Sequence, residues 1–325
     1  MINKIFITGA CGFVGSHLTE FFIENNYNVV AFDRYNSNGD LGWLNNSKYR
    51  NDIEFILGDI RDYDSVYKAM SSSNSCIHLA ALIGIPYSYI SPLAYIKTNV
   101  EGTYNVLESS KNLNLENIII TSTSETYGSA QYTPIDEKHP LVGQSPYSAS
   151  KIAADHLSIS YNRSFDLPVK IIRPFNVYGP RQSTRAIIPT IISQILSGQK
   201  DIKLGNLNAK RDFTYVTDLC EAYLSIYKNE SVLGDVVNVG SNKNISIVDL
   251  FNLIKEITKA DIDIIGVKER LRPNKSEVNE LLCDNSFILD RFEWSPKISL
   301  KEGLEDTIQW INANKEKYDL LNYHV

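Results

Sequence analysis

The stretch Gly9-Ala10-Cys11-Gly12-Phe13-Val14-Gly15 decides the fold. Before it, Lys4-Ile5-Phe6-Ile7-Thr8 is a short apolar run that reads as a buried parallel strand. After it, apolar residues at Val14, Leu18, Phe21 and Phe22 fall at helical spacing. Three glycines at G-x-x-G-x-x-G between a strand and a helix are the pattern of a dinucleotide site. Gly9 permits the tight turn, Gly12 lets the backbone approach a pyrophosphate, and Gly15 lets the helix pack close to the strand. Phe13 and Val14 open that helix, whose free N–H groups point at the phosphates.

Working outward, a second strand, Asn28-Val29-Val30-Ala31-Phe32, ends in Asp33. An acid there binds a ribose 2′-hydroxyl and repels a 2′-phosphate, so NAD is the expected cofactor. Arg34 keeps NADP open as the less favoured alternative, and a plain surface Asp-Arg pair is the third reading. After the strand Ile53–Leu57 comes Gly58-Asp59-Ile60-Arg61-Asp62, where Asp59 can accept the adenine amino group beside Ile60. In Cys76-Ile77-His78-Leu79-Ala80-Ala81, the small residues let the backbone lie against a cofactor. His78 resembles a general base, but its place inside an apolar strand end favours a packed residue.

The strand Ile118-Ile119-Ile120 ends in Thr121-Ser122-Thr123-Ser124-Glu125. Reactive groups gather at the carboxyl ends of strands in an open parallel sheet. Tyr147 and Lys151 are four apart in a helical stretch, so they share a face. An ammonium near a phenol favours the phenolate and lowers the Tyr pKa. Tyr147 then serves as a base towards a sugar hydroxyl, with Thr123 bonded to the same hydroxyl, while hydride leaves for the cofactor.

With these motifs on the page, the chain resembles the extended short-chain dehydrogenase/reductase family nearly end to end. The resemblance also covers Asn99, Arg173-Pro174-Phe175-Asn176-Val177-Tyr178-Gly179-Pro180, Arg211-Asp212-Phe213-x-Tyr215-Val216-x-Asp218 and Asn238-Val239-Gly240. It implies a Rossmann domain that binds NAD, with Asn99, Ser122, Tyr147, Lys151, Pro174 and Val177 added to the cofactor set. Glu125 resembles the acid of sugar-nucleotide 4,6-dehydratases, which removes the C5 proton once C4 is a ketone. Ser124 stands where the glucose dehydratases place an Asp, whereas GDP-mannose 4,6-dehydratases resemble Thr-Ser-Glu here. The flanks of Tyr87 and Tyr147, and Arg270-Leu271-Arg272-Pro273, resemble the 4,6-dehydratases of the legionaminic-acid pathway, which act on nucleotide-linked N-acetylglucosamine for surface glycans. The implied substrate set is Ser88, Thr123, Asn176, Ile188, Lys203, Arg211 and Arg272. Lys203, Arg181 and Arg185 read equally well as solvated surface. A UDP-glucuronate decarboxylase, a nucleotide-sugar 4-epimerase and a non-enzymatic NAD-binding sensor or scaffold are the competing readings.

Alternating strands and helices up to Arg173-Pro174 predict an α/β doubly wound parallel sheet with a smaller α+β substrate lobe. The expected division is 1–176 plus 213–240 for the NAD-binding domain and 177–212 plus 241–325 for the nucleotide-sugar domain. Asp212 to Tyr227 and Val236 to Val239 are expected to return to the large sheet. The 325 residues suffice for both lobes. A net charge of −6 argues against nucleic-acid and membrane-surface partners. The four cysteines show neither metal-ligand spacing nor a disulfide framework. A strand beginning at residue 4 leaves no room for a signal peptide, and no apolar run can span a bilayer, so the cytoplasm is expected. The stretches near Leu93–Asn112 and Tyr147–Ser164 resemble the helices that form a four-helix bundle between subunits of a homodimer.

Overall fold

Strands form where apolar residues run uninterrupted, because helices cover both faces of a parallel sheet. The computed structural model describes residues 3–318. Six such runs come first: β1 (Lys4–Thr8), β2 (Asn28–Arg34), β3 (Ile53–Gly58), β4 (Ser75–His78), β5 (Asn117–Thr121) and β6 (Val169–Pro174). Ile5, Phe6 and Ile7 of β1 and Ile118, Ile119 and Ile120 of β5 are fully buried. Between the strands lie α1 (Phe13–Glu24), α2 (Tyr63–Met70), α3 (Ile85–Ile90), α4 (Pro92–Tyr95), α5 (Gly102–Asn112) and α6 (Pro146–Phe165). A π-helical segment, Ile96–Glu101, joins α4 to α5. The chain continues through β7 (Asn176–Tyr178), α7 (Ile187–Leu196), β8 (Asp201–Leu204), β9 (Lys210–Tyr215), α8 (Val216–Lys228) and β10 (Val236–Val239). It ends with β11 (Asn244–Ser246), α9 (Ile247–Thr258), β12 (Asp263–Gly266), α10 (Ser286–Arg291) and α11 (Leu300–Ala313).

Seven strands make one parallel sheet in the order β10-β6-β5-β4-β1-β2-β3. The chain runs outward from β1 to β3, then crosses back to β4 on the other side of β1. That reversal opens a crevice beyond the carboxyl ends of β1 and β4, where ligands of such sheets bind. One face is covered by α1 and α8, through Leu18, Phe22, Leu219 and Tyr223. The other is covered by α2, α5 and α6, through Val66, Met70, Leu107 and Tyr161. The doubly wound α/β sheet is thus as expected from the alternation.

A second lobe contains a three-stranded sheet, β11-β9-β7, and a two-stranded one, β12-β8. Its core joins Ile191 and Ile192 of α7, Leu250 and Ile254 of α9, and Leu304 and Ile311 of α11. One expectation needs correction here. α8 and β10 do return to the large sheet, but Asp212–Tyr215 do not. They belong to β9, which pairs antiparallel with β11 and parallel with β7. Phe213 and Tyr215 pack with Tyr178 in the second lobe's core, which holds the strand there. Among the described residues, no helix is long and apolar enough to cross a membrane.

Candidate active site

The crevice at the β1–β4 reversal is an open cleft of ≈ 1080 Å³. Its floor is the glycine turn. Gly9 sits at φ +68°, and a Cβ there would come 2.9 Å from Ala80 N. A Cβ on Gly15 would fall 2.0 Å from Gly9 O, so only glycine lets α1 approach β1 this closely. On Gly12 it would meet only Gly9 O, at 3.4 Å, which leaves that backbone open to the cleft. α1 starts at Gly12 without a side-chain cap or an acid in its first turn. Its orphan N–H groups and positive end therefore suit a pyrophosphate. Phe13, Val14, Ile60, Leu79, Ala80, Ala81, Pro174 and Val177 line the cleft, together with Asp33 and Arg34. Asp33 Oδ2 accepts from Cys11 N at 2.8 Å and Oδ1 from Arg34 N at 2.7 Å, so the acid fastens the glycine turn to the end of β2. Asp59 also lines the cleft, but the Arg61 side chain grips its carboxylate. This lining fits a dinucleotide.

Of the expected cofactor residues, Tyr147 and Lys151 are not part of that lining, and Asn99 and Ser122 stand one layer behind it. Asn99, in the π-helical segment, accepts from Leu82 N at 2.8 Å and donates to Leu82 O at 3.0 Å and Ser150 Oγ at 2.9 Å. It pins the cleft wall to α6. Ser122 donates to Asp155 Oδ2 at 2.8 Å. His78 is fully buried between Thr8 Oγ1, at 2.7 Å from Nδ1, and Thr103 Oγ1, at 3.2 Å from Nε2. Burial lowers its pKa to about 3, so it is a neutral packing residue.

The catalytic candidates meet where β5 ends against the start of α6. Thr123 caps a 3-10 turn, Ser124–Tyr127, by accepting from Glu125 N at 3.2 Å. The Thr123 hydroxyl favours the ionised form of the Tyr147 phenol. Ser148 Oγ donates to Glu125 O at 2.7 Å, tying the turn to α6. Ser124 is buried in that turn. Lys151 Nζ donates to Thr121 O at 2.6 Å. Tyr147 packs edge-on against Tyr95, centroids 6.2 Å apart. Its phenol is pushed up, not down, because burial outweighs the Thr123 hydroxyl. Burial also lowers the Lys151 pKa, with Asp155 pulling the other way. In the protein alone, burial of the phenol dominates over the lowering expected from its neighbours.

Beside this centre is a group of four charges. Arg272 Nη1 lies 3.7 Å from Glu125 Oε2, and Arg211 Nη2 lies 3.6 Å from Glu277 Oε1. Burial lowers the Arg211 pKa, partly offset by the Glu125 carboxylate. Asn176 carries a buried carboxamide oxygen with no hydrogen-bond partner among the described residues. The other expected substrate residues lie elsewhere. Ser88 is fully buried and donates to Ile85 O inside α3. Ile188 is in the second lobe's core. Lys203 is exposed on β8. Arg181 is paired with Glu20 at 2.8 Å, whereas Arg185 lines the cleft.

A family model described as GDP-mannose 4,6 dehydratase matches residues 6–307. The chain belongs to this family. It is 33% identical over 317 residues to the putative UDP-glucose 4-epimerase of Methanocaldococcus jannaschii, covering 95% of this chain and 99% of that protein. It is 29% identical to the dTDP-D-glucose 4,6-dehydratase of Homo sapiens, covering 96% of this chain and 91% of the relative. The dTDP-glucose 4,6-dehydratase of Streptomyces venezuelae, solved with NAD and TYD bound, matches with a TM-score of 0.88 at 25% identity, covering 98% and 100% of the two chains.

In this GDP-mannose 4,6-dehydratase family member, sequence reasoning passed over several residues that build the site. Asp155 Oδ2 receives Ser122 Oγ, Arg173 Nε at 3.0 Å and Arg173 Nη2 at 2.9 Å, all buried. It therefore holds the strand end that carries Thr121–Thr123 against the helix that carries Tyr147. Its position four residues after Lys151 was a usable signal. Tyr87, Tyr95 and Gly84 line one end of the cleft, and Glu277 steadies Arg211. Gly84, Tyr87 and Glu277 lie in or beside stretches that carry the family resemblance, whereas nothing local in the sequence marks Tyr95.

Proposed function

We propose that the chain is an NAD-dependent nucleotide-sugar 4,6-dehydratase acting on UDP- or GDP-N-acetylglucosamine. The observation that carries the reading is Glu125. It sits two residues beyond Thr123 on the same turn, and its charge acts on the Tyr147 phenol, so a carboxylate stands beside the oxidation centre as a second base. Oxidation at C4 needs only Thr123, Tyr147 and Lys151. A further acid is useful when a C5 proton must also move.

Tyr147, as phenolate, takes the C4 hydroxyl proton, and Thr123 orients that hydroxyl. Bound NAD supplies the hydride acceptor for C4 and the hydride donor for C6. The C4 ketone makes the C5 hydrogen acidic, and Glu125 removes it. The C6 hydroxyl leaves as water with a proton delivered by Glu125, directly or through Ser124. A proton returns to C5 as hydride reaches C6, so no cofactor is consumed. Asp33 favours NAD over NADP. Arg211, Arg272 and Asn176 hold the diphosphate and nucleotide. The acetamido group rests on the resemblance of the Tyr87, Tyr147 and Arg272 flanks. A cytoplasmic enzyme working as a homodimer completes the proposal.

The 33% identity to a putative 4-epimerase favours a second reading, C4 epimerisation. Glu125→Gln separates the two, because an epimerase does not use a C5 base. Given substrate, this variant should still form bound NADH, seen as near-ultraviolet absorbance. It should make 4-keto-6-deoxy product about a hundredfold to ten-thousandfold more slowly. Tyr147→Phe should abolish NADH formation. Product formed by Glu125→Gln at the wild-type rate would remove the main support for dehydration.

A further inference from the structure

The base and the diphosphate-binding arginine of the proposed reaction are paired with each other. Arg272 lies in the segment between the 3-10 turns Lys268–Arg270 and Asn274–Ser276. The segment's far end is fastened to the large-sheet lobe. Tyr89 OH meets Ser276 Oγ at 2.6 Å, Gln144 Nε2 donates to Lys275 O at 3.0 Å, and Ser129 Oγ donates to Glu277 O at 3.3 Å. The backbone near Arg272 is thereby anchored, while its side chain is not. At 3.7 Å its contact with Glu125 is beyond hydrogen-bond reach. Nη1 is buried and has no hydrogen-bond partner among the described residues. Arg211 differs: its Nη1 donates to Lys210 O at 2.9 Å, and it is 6% exposed. Of the two guanidinium groups, Arg272 is the one whose Nη1 is buried without a hydrogen-bond partner among the described residues.

We propose that the Glu125 carboxylate and the diphosphate of a sugar nucleotide compete for Arg272. Seating the diphosphate then draws the guanidinium away and releases Glu125 to the sugar. This rests on the nucleotide-sugar reading of the site. Phosphate oxygens offer Arg272 two parallel charge-assisted hydrogen bonds, which the present contact with Glu125 does not. The two arginines and two glutamates are balanced without ligand. A diphosphate brings negative charge into a half-buried group, so one anion has to give up its cation. Glu277 stays with the anchored Arg211, and Glu125 is the anion left free. The base is therefore neutralised when the site is empty and exposed when a substrate is seated.

The test is calorimetric titration of the NAD-loaded protein with UDP, GDP and dTDP, which lack the sugar ring that Glu125 would act on. The variants are Glu125→Gln, Arg272→Gln and the double substitution, each first shown to bind NAD as the wild type does. For whichever nucleotide binds, Glu125→Gln should tighten binding about fivefold, the worth of one partly exposed ion pair. Arg272→Gln should weaken it about tenfold or more, in line with the loss of a charge-assisted bond. In the Arg272→Gln background, Glu125→Gln should change nothing. Unchanged or weaker binding by Glu125→Gln would overturn the proposal, as would tightening that persists without Arg272. If none of the three nucleotides binds the wild type, the nucleotide-sugar reading itself falls, and this proposal with it.

Discussion

Tyr147 must lose a proton to act, and its surroundings make that costly. Burial pushes the phenol up, and the Thr123 hydroxyl only partly compensates. The Lys151 ammonium is held on Thr121 O, and burial lowers its own pKa. Asp155 pulls that pKa part of the way back up. The sign of the pH dependence follows. The active form is the deprotonated phenol, and its pKa lies above the usual phenolic value, so the rate of NADH formation should rise with pH across the neutral and mildly alkaline range. Lys151→Met removes the cation and should move that rise to higher pH, slowing the neutral reaction about a hundredfold. Single-turnover absorbance across pH is the measurement. A profile that Lys151→Met leaves in place would show that the lysine only packs. At this scale the pairing of Arg272 with Glu125 was invisible in advance, because segments distant in sequence deliver the two side chains. Ser88 misled for the opposite reason: its hydroxyl turns inward to satisfy its own helix.

The end of β4 shows how an element carries chemistry without taking part in it. His78 closes the strand, fills the space between β1 and α5, and bonds Thr8 and Thr103. Thr8 in turn accepts from Leu79 N and Ala80 N, both at 3.1 Å, and so shapes the cleft wall. His78 is neutral in the fold, with a pKa lowered from 6.5 to about 3, and His17 of α1 is lowered to about 4, mainly by burial. A base whose folded pKa is depressed gives stability that is complete above 6.5 and is lost as pH falls towards the folded value. Denaturant midpoints should therefore drop between pH 6.5 and 5, and His78→Gln should drop less over that interval. Equal slopes for the two proteins would contradict the neutral buried histidine. The nucleotide half of the fold was legible because its signals are local: glycines at fixed spacing, an acid at the next strand end, apolar runs. The destination of β9 was not. Alternating side chains say that a segment is a strand, but which sheet edge it joins depends on Phe213 and Tyr215 finding Tyr178. Asn99 and Ser122 were expected against the cofactor by resemblance, and their side chains bond Leu82, Ser150 and Asp155.

In the whole molecule, two lobes put charge and catalysis side by side. The large sheet supplies the glycine turn, Thr123, Glu125 and Tyr147, and the later part of the chain supplies Arg211 and Arg272. Large apolar side chains are left exposed on the helices: Leu93 and Ile96 are more than half exposed near α4, and so is Phe165 at the end of α6. Exposed apolar side chains clustered on helices mark association surfaces. Their burial in a homodimer is the expected use, so sedimentation at micromolar concentration should give twice the monomer mass, and Ile96→Asp should give monomer. A wild-type monomer would contradict this. The central claim is that the sugar loses water while the cofactor is regenerated. Purified protein should be incubated in deuterated water with UDP- and GDP-N-acetylglucosamine, UDP-glucose, GDP-mannose and UDP-glucuronate, and the products read by mass and by the label at C5. The account predicts an N-acetylglucosamine nucleotide lighter by one water, carrying solvent deuterium at C5, with no added NAD consumed. A product of unchanged mass, or loss of carbon dioxide from UDP-glucuronate instead, would contradict it.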